Sequence, residues 1–236
     1  MKHRDCNSYD IAKCIAIIAM VIDHIGMFFY PEQVTFRLIG RIAFPIFLFL
    51  IGYSQKFINK RDIILLMIVM AALDCWLCVG STFFTVSLST ILPVIVISRW
   101  ICGYMQNWFR TNLIKSFLLL AMYNLVFGLF FMFGTFGCLF IICGDLRRNN
   151  INNWHSHAFF ALTIAMYVYI QSPNYSPIQV ATLSVLMLGL TGCMYLFRLE
   201  TINIKNIIIK KPIMLCARYS LYVYCLHYQL FKLLSM

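Results

Sequence analysis

Asp23 and His24 stand side by side inside an otherwise apolar run, Ile17-Ile-Ala-Met-Val-Ile-Asp-His-Ile-Gly26. An ionisable side chain in hydrocarbon costs about 2.5–3.5 kcal/mol on insertion scales, so each one is by default a candidate for function. Arg37 and Arg41 open the next apolar stretch, Asp74 lies in a third, Asn124 in a fifth, and Arg218 and His227 in the last. An imidazole titrates near neutrality and can take a proton from a nucleophile. A guanidinium in a dry site can hold negative charge as it develops on a reacting oxygen. These residue types therefore suit group transfer. Taken singly, a lone His packs, Arg37 snorkels to an interface and Asn124 bonds a neighbouring helix. The adjacent pair is harder to dismiss, because successive helical residues diverge by about 100° and need partners on two helices. Arg41 is the expected counter-charge for Asp23. Pro45, one turn on, leaves the carbonyl near Arg41 without its donor and predicts a kink that opens a cavity. Gly40 permits close helix approach at the same level.

The elements that must hold these groups follow from composition. Of 236 residues, 62% are hydrophobic and 11% charged, with a mean hydropathy of +0.83; a soluble domain carries about 25% charged residues. The expected fold is all-α, a polytopic transmembrane helical bundle forming a single domain over 1–236, with apolar runs near 11–30, 37–55, 62–80, 84–99, 113–128, 130–144, 158–171, 177–197 and 213–234. At roughly 20 residues per crossing this predicts about nine spans. In the short stretch from Leu113 to Gly144, the glycines Gly128, Gly134 and Gly137 can make the turn between two crossings, the alternative being one long tilted helix with a re-entrant piece.

The net charge of +11 has a topological rather than a nucleic-acid meaning. Lys2, Arg4 and Lys13, then Lys56, Lys60 and Arg61, then Arg99, Arg110 and Lys115, then Arg147 and Arg148, then Arg198, Lys205, Lys210 and Lys211 punctuate alternate ends of the runs. The intervening segments Pro31 to Phe36, Gly80 to Phe83 and Gln171 to Pro177 carry no Lys and, before Arg37, no Arg. The positive-inside rule then puts the N-terminus and the basic loops on the cytoplasmic side of the membrane. In that topology His24, Arg41, Asp74, Asn124 and His227 share one layer in the non-cytoplasmic half, with His24 about 9 Å and Asn124 about one turn from the outer ends of their spans.

The ten cysteines fall mostly as single residues in apolar runs, where Cys acts as a small hydrophobe. Cys75 and Cys78 have C-x-x-C spacing without a second pair, and His155 and His157 form a similarly isolated pair, so no metal site is expected. The first apolar run is too long for a cleavable signal and is expected to remain as an anchor. Residues 202–211 predict an amphipathic segment on the cytoplasmic surface before the last span.

These residues resemble the TraX family of conjugative-plasmid membrane proteins. The specific matches are Met20-Val-Ile-Asp-His-Ile-Gly26 and Gly40-Arg-Ile-Ala-Phe-Pro-Ile-Phe47; Gly137-Cys-Leu-Phe-Ile-Ile-Cys143 is looser, and Tyr219-Ser-Leu-Tyr-Val-Tyr-Cys-Leu-His227 is similar to the family's closing helix with its late His. The resemblance runs from about residue 11 to 231. It implies a membrane acetyltransferase that uses acetyl-CoA as acyl donor and a pilin N-terminus as acceptor. A wider likeness to membrane acyltransferases of surface glycans makes a glycan O-acetyltransferase the alternative.

On that basis His24 is expected as base, Asp23 as an orienting carboxylate and Arg41 as the oxyanion or thioester holder, with Arg37, Asp74, Asn124 and His227 as substrate-binding residues. The expected partners are the pilin or glycan acceptor and membrane lipid, without nucleic acid. Two other classes compete: a proton-coupled transporter using Asp23, His24 and Asp74 as a relay, and a non-enzymatic assembly factor. The lack of an internal repeat counts modestly against the transporter.

Overall fold

A computed structural model describes residues 5–54, 65, 68–69, 72, 91–127, 136–204 and 206–235. Its helices are α1 (Ser8–Phe28), α2 (Val34–Gly40), α3 (Ala43–Ser54), α4 (Ile91–Thr111), α5 (Leu113–Phe127), α6 (Phe136–Arg148), α7 (Trp154–Gln171), α8 (Pro177–Leu196), α9 (Ile207–Arg218) and α10 (Ser220–Leu234), with a 3-10 turn at Ser172–Asn174. Among the described residues there is no strand, only an isolated bridge between Asn7 and Thr201. The protein is all-α and membrane-embedded in character. Three stretches among the described residues are long and apolar enough to cross a bilayer: Ser8–Phe28, Val34–Ser54 taken across α2 and α3, and Pro177–Leu196; Leu113–Asn124 is a shorter apolar helix. That does not confirm the expected count of nine. Most of the expected third span, with Asp74, Cys75 and Cys78, and the turn at Gly128 and Gly134 lie outside the described residues.

The chain divides into two compact units, one formed by the residues up to Phe47 with those from Tyr195 onward, the other by Leu48–Met194. In the first, α1 begins with a reciprocal cap: Asn7 Oδ1 accepts from the Asp10 amide at 3.0 Å and Asp10 Oδ2 from the Asn7 amide at 3.2 Å. This satisfies two of the helix's orphan donors and sets a carboxylate at its positive end. The segment before α1 is stitched to the one after α8, Ser8 to the carbonyls of Arg198 and Glu200, and Ile202 N–H to the Cys6 carbonyl at 2.8 Å. The expected amphipathic segment over 202–211 is therefore helical only from Ile207, where Asn206 caps α9. The expected single span over 213–234 is two helices. Tyr219, at φ −107° and ψ 24°, leaves helical geometry and separates α9 from α10.

Pro45 acts as its chemistry requires. The helix is interrupted at Arg41 and Ile42, where the Arg41 carbonyl has no proline N–H to accept from, and Pro45 sits in the tolerant first turn of α3.

In the second unit α4 runs on to Thr111, twelve residues past the expected end at Arg99. Its charges do not stop it because they point inward. Arg99 donates to the Ile51 carbonyl at 2.7 Å, and Arg110 grips Asp145 of α6 through Nε and Nη2 at 2.6 and 2.7 Å. Gln106 adds a 2.6 Å bond to the same carboxylate. Trp100 and Tyr104 of α4 are 58% and 77% exposed, so the helix is polar within and aromatic without, the reverse of a soluble protein. Arg148 donates to the carbonyls of Tyr53 and Ser54 at 3.1 and 2.7 Å, so with Arg99 two cations serve the orphan acceptors at the end of α3.

Candidate functional site

The buried residues Ala16, Met20 and His24 recur every four positions along α1 and form the stripe it turns inward. That period carries His24 to α10. Its Nδ1 lies 2.7 Å from Nε2 of His227, with the two rings stacked at 4.9 Å between centroids. The other nitrogen of His227, Nδ1, lies 2.6 Å from the Val223 carbonyl. A carbonyl can only accept, so Nδ1 of a neutral His227 carries the proton and its Nε2 is a lone pair. His24 must then donate from Nδ1, which leaves its own Nε2 as a bare acceptor. Among the described residues that nitrogen has no hydrogen-bond partner. Tyr228, Phe28 and Tyr224 wall the ring, at 5.2, 6.4 and 6.0 Å between centroids. The arrangement fixes one imidazole by another and presents a single basic nitrogen in an apolar, aromatic setting.

Asp23, one residue earlier, faces α2 instead. Arg37 Nη1 sits 3.2 Å from its Oδ2 and 3.5 Å from its backbone carbonyl. Both side chains are largely enclosed, at 21% and 17% exposure. This corrects the expected pairing: the ion-pair partner recorded for Asp23 is Arg37, one turn before Arg41. The reason is Gly40, whose backbone lies against the Asp23 side chain so closely that a Cβ there would overlap it. Gly26 makes the matching approach to Phe36. With α2 pressed this close, the residue a turn below Gly40 reaches the carboxylate. Arg41, at the break between α2 and α3, still acts on Asp23 through its charge. Among the described residues, Oδ1 of Asp23 is buried without a hydrogen-bond partner.

The first unit thus brings together Asp23, His24, Arg37, Arg41 and His227, as two linked clusters on adjoining faces of α1. Asn124 belongs to the second unit, on α5, where its Oδ1 is buried without a hydrogen-bond partner among the described residues. Asp74 lies outside the described residues. Sequence reasoning missed the direct contact between the two imidazoles, their order of donation and the aromatic wall. The one signal available for it was the i−4 carbonyl of Val223, which can fix the tautomer of a helical His.

A family model described as TraX protein matches residues 8–235. Over 64 residues the chain is 45% identical to the uncharacterized protein RP591 of Rickettsia prowazekii (strain Madrid E), a stretch that is 27% of this chain and 26% of that protein. The chain therefore aligns with about a quarter of that relative's length. No solved structure matches.

Proposed function

Because the chain belongs to the TraX family, we propose that it is a membrane-bound acetyltransferase that moves acetyl from acetyl-CoA to a membrane-delivered acceptor, first among them the N-terminus of a conjugative pilin. The observation that carries this is the 2.7 Å contact between His24 and His227, with His227 held in turn by the Val223 carbonyl. Base catalysis needs a nitrogen with a free lone pair, a fixed ring and a partner for the proton at the far side.

In the proposed reaction Nε2 of His24 removes the proton from the acceptor amine as its nitrogen attacks the thioester carbonyl. The imidazolium that forms is stabilised through its Nδ1–H by the lone pair of His227. Arg41 bears the oxyanion of the tetrahedral intermediate. The intermediate collapses with breakage of the carbon–sulfur bond, and the proton on His24 passes to the departing thiolate. Asp23 positions Arg37 and Arg41 rather than the imidazole, since it faces another helix. The protein is proposed to lie in the bacterial inner membrane with its N-terminus in the cytoplasm, as the basic loops indicate.

The test is incubation of the purified protein with radiolabelled acetyl-CoA and membranes. Label in a small membrane peptide supports pilin acetylation, and label in glycan supports the O-acetyl alternative. No labelled acceptor of either kind overturns the reading.

A further inference from the structure

Lys13 does more than mark topology. It lies half-buried in the second turn of α1, and its Nζ donates to the backbone carbonyl of Ala217 on α9 at 3.2 Å. The ring of Tyr9, one turn earlier, lies 5.2 Å from the same ammonium, within the range of a cation–π contact. A lysine near a helix end ordinarily snorkels toward the headgroups; this one reaches sideways to another helix. The carbonyl it meets belongs to the last turn of α9, which ends at Arg218. Carbonyls there lack the amides of a following turn, lipid offers no water to replace them, and the negative end of the helix dipole favours a cation.

The register of the seam gives this contact its meaning. Asp5 meets Lys210, Lys13 meets Ala217 and His24 meets His227, at separations of 205, 204 and 203 positions. The α9–α10 pair therefore runs beside α1 in the same direction and in one register, which the break at Tyr219 leaves intact. From that break the contacts climb one turn at a time. The Val223 amide donates to the Tyr219 carbonyl at 2.9 Å, and the Val223 carbonyl fixes His227 at 2.6 Å. His227 stands about 12 Å beyond Tyr219 at 1.5 Å per residue. A swing of α10 by about 5° at Tyr219 would carry the ring about 1 Å, enough to take a 2.7 Å contact out of hydrogen-bond range.

We propose that Lys13 is a positioning residue: by holding the Ala217 carbonyl it pins the foot of α10 and keeps His227 within reach of His24. Lys13 and His24 then act from the same helix as two fixed points, one on each side of the break. The ammonium suits the task because a single cation can serve a helix end and still be steadied by the Tyr9 ring. Its effect on acetyl transfer rests on the transferase reading above; its effect on the imidazole contact does not.

The experiment uses the full-length protein, isotopically labelled at the histidine nitrogens and purified in detergent, and reads the imidazole contact by nuclear magnetic resonance. A hydrogen bond between two rings couples the donor nitrogen to the acceptor nitrogen, and the signal is assigned by its absence from His24→Ala. The coupling is expected in the unsubstituted chain and in Lys13→Arg, which can still donate to Ala217, and is expected to vanish in Lys13→Met. Should Lys13→Met not fold, Lys13→Gln, too short to reach the carbonyl, is read by the same rule. Lys210→Met removes only the exposed pair with Asp5 and should keep the coupling. A coupling that survives loss of the Lys13 donor, or that disappears equally in Lys210→Met, overturns the proposal. In acetyl transfer, Lys13→Met is expected to lower kcat by about 10–100-fold, the order for a misplaced reacting group, with KM for acetyl-CoA unchanged. A raised KM at full kcat overturns the positioning role in favour of a lysine that holds the donor. Absence of transfer in the unsubstituted chain sinks the transferase reading and leaves the coupling result standing.

Discussion

Nε2 of His227 receives the Nδ1–H of His24 across 2.7 Å, and the Val223 carbonyl 2.6 Å behind His227 dictates that order. The two residues, 203 positions apart, form one hydrogen-bonded unit.

Substitution should separate their roles. His24→Ala and Arg41→Ala are each expected to lower acetyl transfer by about 10²–10⁴-fold, the range for a lost general base or charge stabiliser, with the protein still inserted in membranes. His227→Ala should cost about 10²-fold, and His227→Gln should recover part of that, since an amide oxygen can still accept from His24. Equal rates for the Ala and Gln variants would exclude the hydrogen-bond role.

Asp23 and Arg37 should show energetic coupling. Removing one partner of an enclosed ion pair leaves a charge unmatched and costs about 3–5 kcal/mol, while removing both can be nearly neutral. Arg37→Met and Asp23→Asn are each expected to lower the unfolding temperature in detergent, and the double variant to lie well above the sum of the two losses. Additive losses would mean that the 3.2 Å contact contributes nothing.

Gly40→Ala and Gly26→Ala test the close approach of α1 and α2. An added methyl would meet Asp23 in one case and Phe36 in the other, and overpacking of this kind costs about 1–3 kcal/mol. Gly103→Ala, with open space at its Cβ, is the control and should leave thermal stability unchanged.

In the second unit, Arg110→Met should destabilise by about 3–5 kcal/mol, because the buried carboxylate of Asp145 loses both hydrogen bonds from its cationic partner. Faster hydrogen exchange confined to α4 and α6 is the expected readout. Unchanged exchange there would show that the bidentate pair is not what joins the two helices.

Much of this was legible from residue types. Asp23 and His24 declared themselves as charges in an apolar run, and Pro45 foretold the interruption near Arg41 four residues upstream. What composition could not convey was register. Whether Arg37 or Arg41 reaches Asp23 depends on how closely α2 approaches, which Gly40 decides through contact with a residue distant in sequence. The length of α4 was hidden for a related reason: Arg99 and Arg110 look like punctuation until their inward acceptors, the Ile51 carbonyl and Asp145, are in view. Tyr219 gave no warning of a break, since no Pro or Gly marks it. The match of His24 to His227 was invisible because hydropathy reports depth but not facing.

The imidazole pair also sets a capacity. If each ring carried two protons, the facing nitrogens would both be donors and the 2.7 Å contact would have no acceptor. In the proposed reaction the unit would store one proton at a time, so it would have to be emptied before another acceptor is engaged, and the thiol leaving the donor would be the natural recipient. Discharge of the first product would then gate admission of the next substrate.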